Sequence, residues 1–183
     1  FSDRVSKYFP TLTQSGEITI DDLVSHRSGY TDYYPLDYVD RRMQTAVSTD
    51  EIISRYASVR LDFSPGTYFS YSNTGYVLLG RIIEKAAGMP FAELLKTRIL
   101  RKLEMQNAYF APPKGTAGLA TGYQSILLGT PEPAPPEAAD WLYSAGGIWA
   151  SAADLTKWNL ALLHGKILDA DSFRQLLAPR LLR

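Results

Sequence analysis

Ser64-Pro65-Gly66-Thr67-Tyr68-Phe69-Ser70-Tyr71-Ser72-Asn73-Thr74-Gly75-Tyr76-Val77-Leu78-Leu79-Gly80 decides how this chain reads. The Ser-Pro-Gly-Thr run is a turn signal. Beyond it Tyr76, Leu79, Gly80, Ile83 and Ala87 recur at helical spacing until Gly88 and Pro90 close the pattern. The spacing predicts the strongest helix of the chain, buried on that stripe, with Tyr71-Ser72-Asn73 at its mouth. A phenol so placed is held by backbone rather than by a wandering loop. An Asn two residues on offers both a donor and an acceptor to a substrate amide. The same residues fit a structural reading, in which Tyr71 is a core aromatic and Asn73 the N-cap of the helix.

Working outward, the chain is a string of short helices. Thr19 is placed to cap residues 20–25, with Asp21 and Asp22 in the first turn and Gly29 available to stop it. Ser48 and Glu51 form a capping-box pattern ahead of Ile52, Ile53, Tyr56 and Val59. Pro90 opens a helix with Phe91, Leu94, Leu95 and Ile99 as its buried stripe, running to about Leu100. Ser151 and Asp154 cap another, carrying Leu155, Trp158, Leu162 and Leu163 before Gly165, and residues 171–178 give a last short one. Strand signals are confined to residues 109–111 and 118–124. Two connectors are long: residues 30–47, with Tyr30, Tyr33, Tyr34 and Tyr38, and residues 129–140, an extended Pro-rich span with Pro131, Pro133, Pro135 and Pro136. The expected fold class is mainly α, with few short strands and long loops, in a single domain covering residues 1–183.

Composition removes several function classes. With 183 residues the chain can bury a real core without staples. Nineteen Lys+Arg balance 19 Asp+Glu and no basic run stands out, so no nucleic-acid footprint or membrane-surface helix is expected. The longest apolar runs, such as Ile126-Leu127-Leu128, fall far short of the ~20 residues that span a bilayer. No cysteine is present, which excludes disulfides, thiolate zinc sites and a thiol nucleophile but leaves the compartment open. The chain opens on Phe1 and stops on Leu181-Leu182-Arg183 directly after a helical pattern, and so reads as a piece of something longer.

Elimination narrows the chemistry. His26 and His164 stand alone on different segments with no ligand spacing around them, so no metal site and no cofactor are expected. His26 reads as a helix-terminating residue that bonds locally, and His164 as a last-turn residue suited to the helix dipole. Neither phosphate-binding glycine pattern occurs, and no serine sits in a Gly-x-Ser-x-Gly elbow. Glu51 and Asp154 read as helix caps. Gly146 and Gly147 fit either the floor of a cleft or a tight bend. Tyr30, Tyr33, Tyr34 and Trp141 fit either an acyl or peptide pocket or a pin between loops and body.

Leu23-Val24-Ser25-His26-Arg27-Ser28-Gly29 resembles a motif of the class C β-lactamase-like family of serine β-lactamases, DD-peptidases and related esterases. The likeness continues through Phe63-Ser64-Pro65-Gly66, Tyr71-Ser72-Asn73 with Gly75-Tyr76, residues 99–110, and Ser144-Ala145-Gly146-Gly147 with Ser151 to Leu155. In order and spacing these blocks cover residues 5–177. The resemblance implies the helical subdomain of the β-lactamase/transpeptidase-like fold, in an enzyme acting by an acyl-enzyme on β-lactams, D-Ala peptides or small esters. It makes Tyr71 the catalytic acid/base and Asn73 the substrate-orienting residue; Gly146, Gly147 and Trp141 stand beside them as the further candidates for substrate contact. It favours an extracytoplasmic location.

That mechanism also needs an upstream Ser-x-x-Lys and a late Lys/His-x-Gly, and neither is present; His164-Gly165-Lys166 does not fit. A flanking α/β half carrying the nucleophile is therefore the expected partner, besides a small-molecule or peptide substrate. Residues 1–183 alone are expected to be inactive and, with the docking face bare, to self-associate. A phenol with pKa near 10 is about 0.1% ionised at pH 7, so its use as a base needs nearby cations that lower it by about 2 to 3 units. Those cations would come from the absent motifs. The rival expectation is a non-catalytic binding module that keeps the cleft.

Overall fold

A computed structural model describes residues 1–34, 42–112, 115–125, 128–135 and 137–180. The expectations for Tyr38, Ile126-Leu127, Pro136 and Leu181-Leu182-Arg183 lie outside those residues. The fold is mainly helical: α1 (Ile20–Val24), α2 (Thr49–Ala57), α3 (Asn73–Ala87), α4 (Phe91–Leu95), α5 (Ala139–Gly146), α6 (Ala152–Leu163) and α7 (Ala170–Leu177). Among the described residues, two antiparallel ribbons complete it. β1 (Ala108–Phe110) pairs with β4 (Ile148–Ala150), setting Tyr109 opposite Trp149. β2 (Tyr123–Gln124) pairs with β3 (Glu132–Pro133), setting Tyr123 opposite Pro133.

Local chemistry sets the ends of the helices. Thr19 and Asp22 form a reciprocal capping box on α1. At α2 only one arm of the expected box is made: Ser48 Oγ accepts from the Glu51 N–H, while the Glu51 carboxylate pairs with Arg55. Gly88, at φ 67°, closes α3 in the left-handed conformation. Ser151 caps α6, and buried Asp154 knits it to the residue that enters β1. Its carboxylate accepts from Asn107 N–H at 2.7 Å and from Lys157 Nζ at 2.8 Å. The Lys157 ammonium, with the Asn107 amide, holds that carboxyl below the usual carboxylate range.

The principal core gathers around α3, which packs against α1, α2, α4 and α5. Val5, Ile18, Leu23, Ile52, Val77 and Leu78 are sealed there, each side chain stabilising by about 1.5 to 3 kcal/mol relative to exposure. A smaller core joins Leu95, Leu100, Met105 and Ala108.

Several expectations need correction. The buried face of α3 is Thr74, Gly75, Val77, Leu78, Gly80 and Ile82, whereas Ile83 and Ala87 of the expected stripe are exposed. The helix is apolar around much of its girth, so spacing alone fits two stripes. Gly29 does not stop α1. The chain turns earlier, at His26 (φ 56°), and Gly29 (φ 81°) instead lies against the 61–63 backbone, where a Cβ would come within 2.3 Å of the Phe63 carbonyl. The helix after Pro90 passes into a π-helical turn at Lys96–Leu100, closed by an Arg101 N–H to Lys96 carbonyl bond of 2.9 Å. In that helix Leu95 and Leu100 are buried, while Phe91, Leu94 and Ile99 are partly exposed. Of residues 118–124 only Tyr123–Gln124 is strand, its partner drawn from the Pro-rich span. On α6, Leu155 and Leu163 are exposed, and the apolar residue it buries is Ala161.

Candidate active site

The segment entering α3 is tied to the turn after α1. The Gly66 N–H donates to the Arg27 carbonyl at 2.8 Å and the Ser70 N–H to the His26 carbonyl at 3.0 Å. Ser72, with extended φ −147° and ψ 113°, is the N-cap, its Oγ accepting from the Gly75 N–H, and Asn73 is the first helical residue. The capping role considered for Asn73 therefore belongs to its neighbour. Tyr71 is 57% exposed, so it is no core aromatic, and its hydroxyl lies 3.4 Å from Asn73 Oδ1, a long contact. A phenolic O–H and a carboxamide thus share one exposed edge at the mouth of the best-packed helix.

Two side chains from distant sequence grip this tripeptide. Asp32 Oδ1 accepts the Asn73 backbone N–H at 2.9 Å, and Asp32 Oδ2 accepts from Asn73 Nδ2 at 3.2 Å. His26 Nδ1 accepts the Ser72 backbone N–H at 3.2 Å. The acceptor role leaves the neutral ring's proton on Nε2. The imidazole contacts Tyr71, with ring centroids 4.3 Å apart, Tyr76, 4.9 Å away and near-parallel, and Phe69, nearly perpendicular with centroids 5.9 Å apart. Burial holds the His26 pKa below its usual 6.5, against the opposing pull of the Asp32 carboxylate.

Sequence reasoning took His26 for a locally bonded helix end and did not single out Asp32. Both act across the fold, 46 and 41 residues from their partners. The one usable signal for Asp32 was a lone carboxylate among the aromatics of the 30–34 stretch.

The remaining expected substrate residues sit elsewhere. Trp141 is 3% exposed, its indole N–H donating to the Thr45 carbonyl at 2.8 Å and its own carbonyl accepting from the Tyr33 hydroxyl. The pinning alternative describes it, and the expectation that it contacts substrate is corrected: the side chain belongs to the core. Tyr30 and Tyr33 are buried too, and burial pushes both phenols well above their ordinary pKa. Gly147 is buried, and a Cβ there would meet the Tyr143 carbonyl at 2.7 Å and the Phe110 ring at 3.0 Å, so its bareness serves packing. Gly146 is exposed, with room for a side chain. Ser144 Oγ donates to the Tyr76 carbonyl at 2.8 Å, fastening α5 to α3. Among the described residues no cluster of three or more His, Asp or Glu is placed to hold a metal ion, and no helix is long and apolar enough to cross a membrane.

Comparison with known proteins finds a match between residues 1–183 and the family model described as Beta-lactamase. This chain belongs to the β-lactamase family. Among its β-lactamase-family relatives are a putative penicillin-binding protein, PbpX, of Bacillus subtilis, 27% identical over 97% of this chain and 44% of its own length, and a D-aminopeptidase of Brucella canis, 26% identical over 91% and 32%. A penicillin-binding protein from Bacillus halodurans superposes with a TM-score of 0.81 at 26% identity, over 98% of this chain and 57% of its own. A D-amino acid amidase from Ochrobactrum anthropi, in complex with L-phenylalanine, also gives 0.81 at 26% identity, over 94% and 50%. The mainly helical fold, with its short strands, is thus a β-lactamase/transpeptidase-like one. The chain spans less than half the length of the two curated relatives and about half that of the two solved structures.

Proposed function

We propose that residues 1–183 are the helical subdomain of a serine hydrolase that works through an acyl-enzyme, with its nucleophile and lysine supplied by an α/β half formed by sequence outside this stretch. In this reading Tyr71 passes a proton between the nucleophile and the leaving group, and Asn73 orients the scissile amide or ester. The substrate class is β-lactams, D-Ala peptides or small esters, matching relatives named as penicillin-binding proteins and D-amino acid amidases. The observation that carries it is the exposed Tyr71 hydroxyl set 3.4 Å from Asn73 Oδ1 at the entrance of α3. A proton-transfer group must lie within reach of the reacting atoms, and a substrate polar group needs a fixed partner beside it. The adjacency of the two groups on one edge supports the reading.

Within residues 1–183 no serine has a lysine three places on, so the chain alone should form no acyl-enzyme. Gly146, exposed beside the buried Gly147, keeps its proposed place toward substrate; Trp141 does not. The test is acylation by a serine-directed probe of protein carrying the flanking sequence, with and without Tyr71→Phe. Failure of the flanked protein to acylate would leave the binding-module reading.

A further inference from the structure

Asp32 stands between two fixed points. On one side the Thr31 carbonyl accepts the hydroxyl of fully buried Thr74 at 2.7 Å, and on the other the Tyr33 hydroxyl donates to the Trp141 carbonyl. Its carboxylate then meets Asn73 twice, once at the backbone N–H and once at Nδ2. Only the first bond is what a helix entrance requires, because Asn73 N–H is one of the α3 donors with no partner inside the helix. The second bond decides something else. A carboxylate can only accept hydrogen bonds, so the NH2 end of the Asn73 amide must face Asp32 and the carbonyl end must face Tyr71. Turned over, the amide would set Asn73 Oδ1 against Asp32 Oδ2, two acceptors with no proton between them.

We infer that Asp32 is a positioning residue for the Tyr71–Asn73 pair, fixing which end of the Asn73 amide the site presents. The inference rests on the proposed roles of Tyr71 and Asn73 and adds a specificity to them. With one Nδ2–H committed to Asp32, the site offers the Asn73 carbonyl beside the Tyr71 hydroxyl and the second Nδ2–H to donate outward. That suits a substrate presenting a carbonyl acceptor next to an N–H donor, as an amide does, better than an ester with no N–H.

The test is side-chain and backbone amide NMR of the 183-residue chain, a readout independent of catalysis. Asp32→Asn keeps a carbonyl acceptor for the Asn73 backbone N–H but turns an NH2 toward the Asn73 side chain, so the Asn73 amide must turn over and free its own NH2. The expected result is that backbone amides 72–75 stay dispersed while the Asn73 NH2 pair moves toward free-amide positions and exchanges at least about tenfold faster. The reciprocal pair D32N with Asn73→Asp restores a donor facing an acceptor, and protection should reappear on the amide introduced at position 32. An unmoved Asn73 NH2 pair in Asp32→Asn would overturn the inference. So would backbone shifts as large as those of Asp32→Ala, or absence of protection in the reciprocal pair, since Asp32 would then be a helix cap and nothing more. A protein that fails to acylate while these signals behave as stated refutes the proposed function and leaves the positioning intact.

Discussion

His26 combines a local cost with a distant bond. Its φ of 56° is a left-handed conformation that non-glycine residues adopt at some expense, offset here by ring contacts with Tyr71 and Tyr76 and by the Ser72 N–H. The groups facing it are Tyr71, Phe69, Tyr76 and the Asp32 carboxylate. Protonating Nδ1 removes the acceptor that Ser72 uses. Because the folded pKa is depressed, the unfolded chain binds more protons than the folded one at pH values below about 6.5. Stability therefore rises with pH through that window and is level above it as far as this group is concerned. His26→Asn tolerates the positive φ and does not titrate, so it should lose less stability between about pH 7 and pH 5 than the unsubstituted chain, measured as urea midpoints at the two pH values. Equal losses would remove His26 from the account. Tyr71 and Asn73 were legible because residue type and two-residue spacing carry their chemistry. Asp32 and the true partner of His26 were not, because a contact across more than forty residues leaves no periodic trace.

α3 shows where spacing stops informing. Some caps and ends were readable, namely the glycine beyond it, the Ser151 cap of α6 and the Thr19 cap of α1, which rest on local hydrogen bonds, whereas the N-cap of α3 and the end of α1 were not. The buried face was not, because it depends on which helices arrive from elsewhere. α5 was missed as a helix altogether, its closing Gly146-Gly147 read as either a cleft floor or a tight bend, and it is kinked at Tyr143 (φ 28°, ψ −128°). Its approach to α3 depends on Gly80, where a Cβ would lie 2.1 Å from Ser144 Oγ and 2.7 Å from the Tyr143 ring. Gly80→Ala gains about 1 kcal/mol of helix propensity, yet it must push α5 away and strain the Ser144 bond to the Tyr76 carbonyl. A net loss of about 1 to 3 kcal/mol in urea unfolding is expected, as for other overpacked interiors. A substituted chain more stable than the original would show that α5 is free to shift.

The molecule as a whole leaves much apolar surface uncovered. α7 buries none of its residues, and Leu176 and Leu177 are exposed on it, as are Leu155, Leu160 and Leu163 on α6 and Ile148 and Trp149 on β4. These elements carry the periodicity of buried helices and strands without the burial, and this is why the α6 stripe was misread from sequence. The proposal that an α/β half docks on this fold predicts that residues 1–183 alone bind a hydrophobic-surface dye and self-associate in sedimentation velocity, while protein carrying the flanking sequence does so less. A monomeric chain that does not bind the dye would count against it. The family and the mainly helical architecture were readable from the motif blocks, which are local; the exposed faces were not, because exposure is a property of the assembled surface. The most direct test of the central claim is to map, by mass spectrometry, the adduct of a serine-directed fluorophosphonate on protein that carries residues 1–183 with their native flanking sequence. The account predicts a single adduct on a serine outside residues 1–183, formed at least about 100-fold more slowly after Tyr71→Phe. An adduct on a serine within residues 1–183, or an unchanged rate without the phenolic hydroxyl, would contradict it.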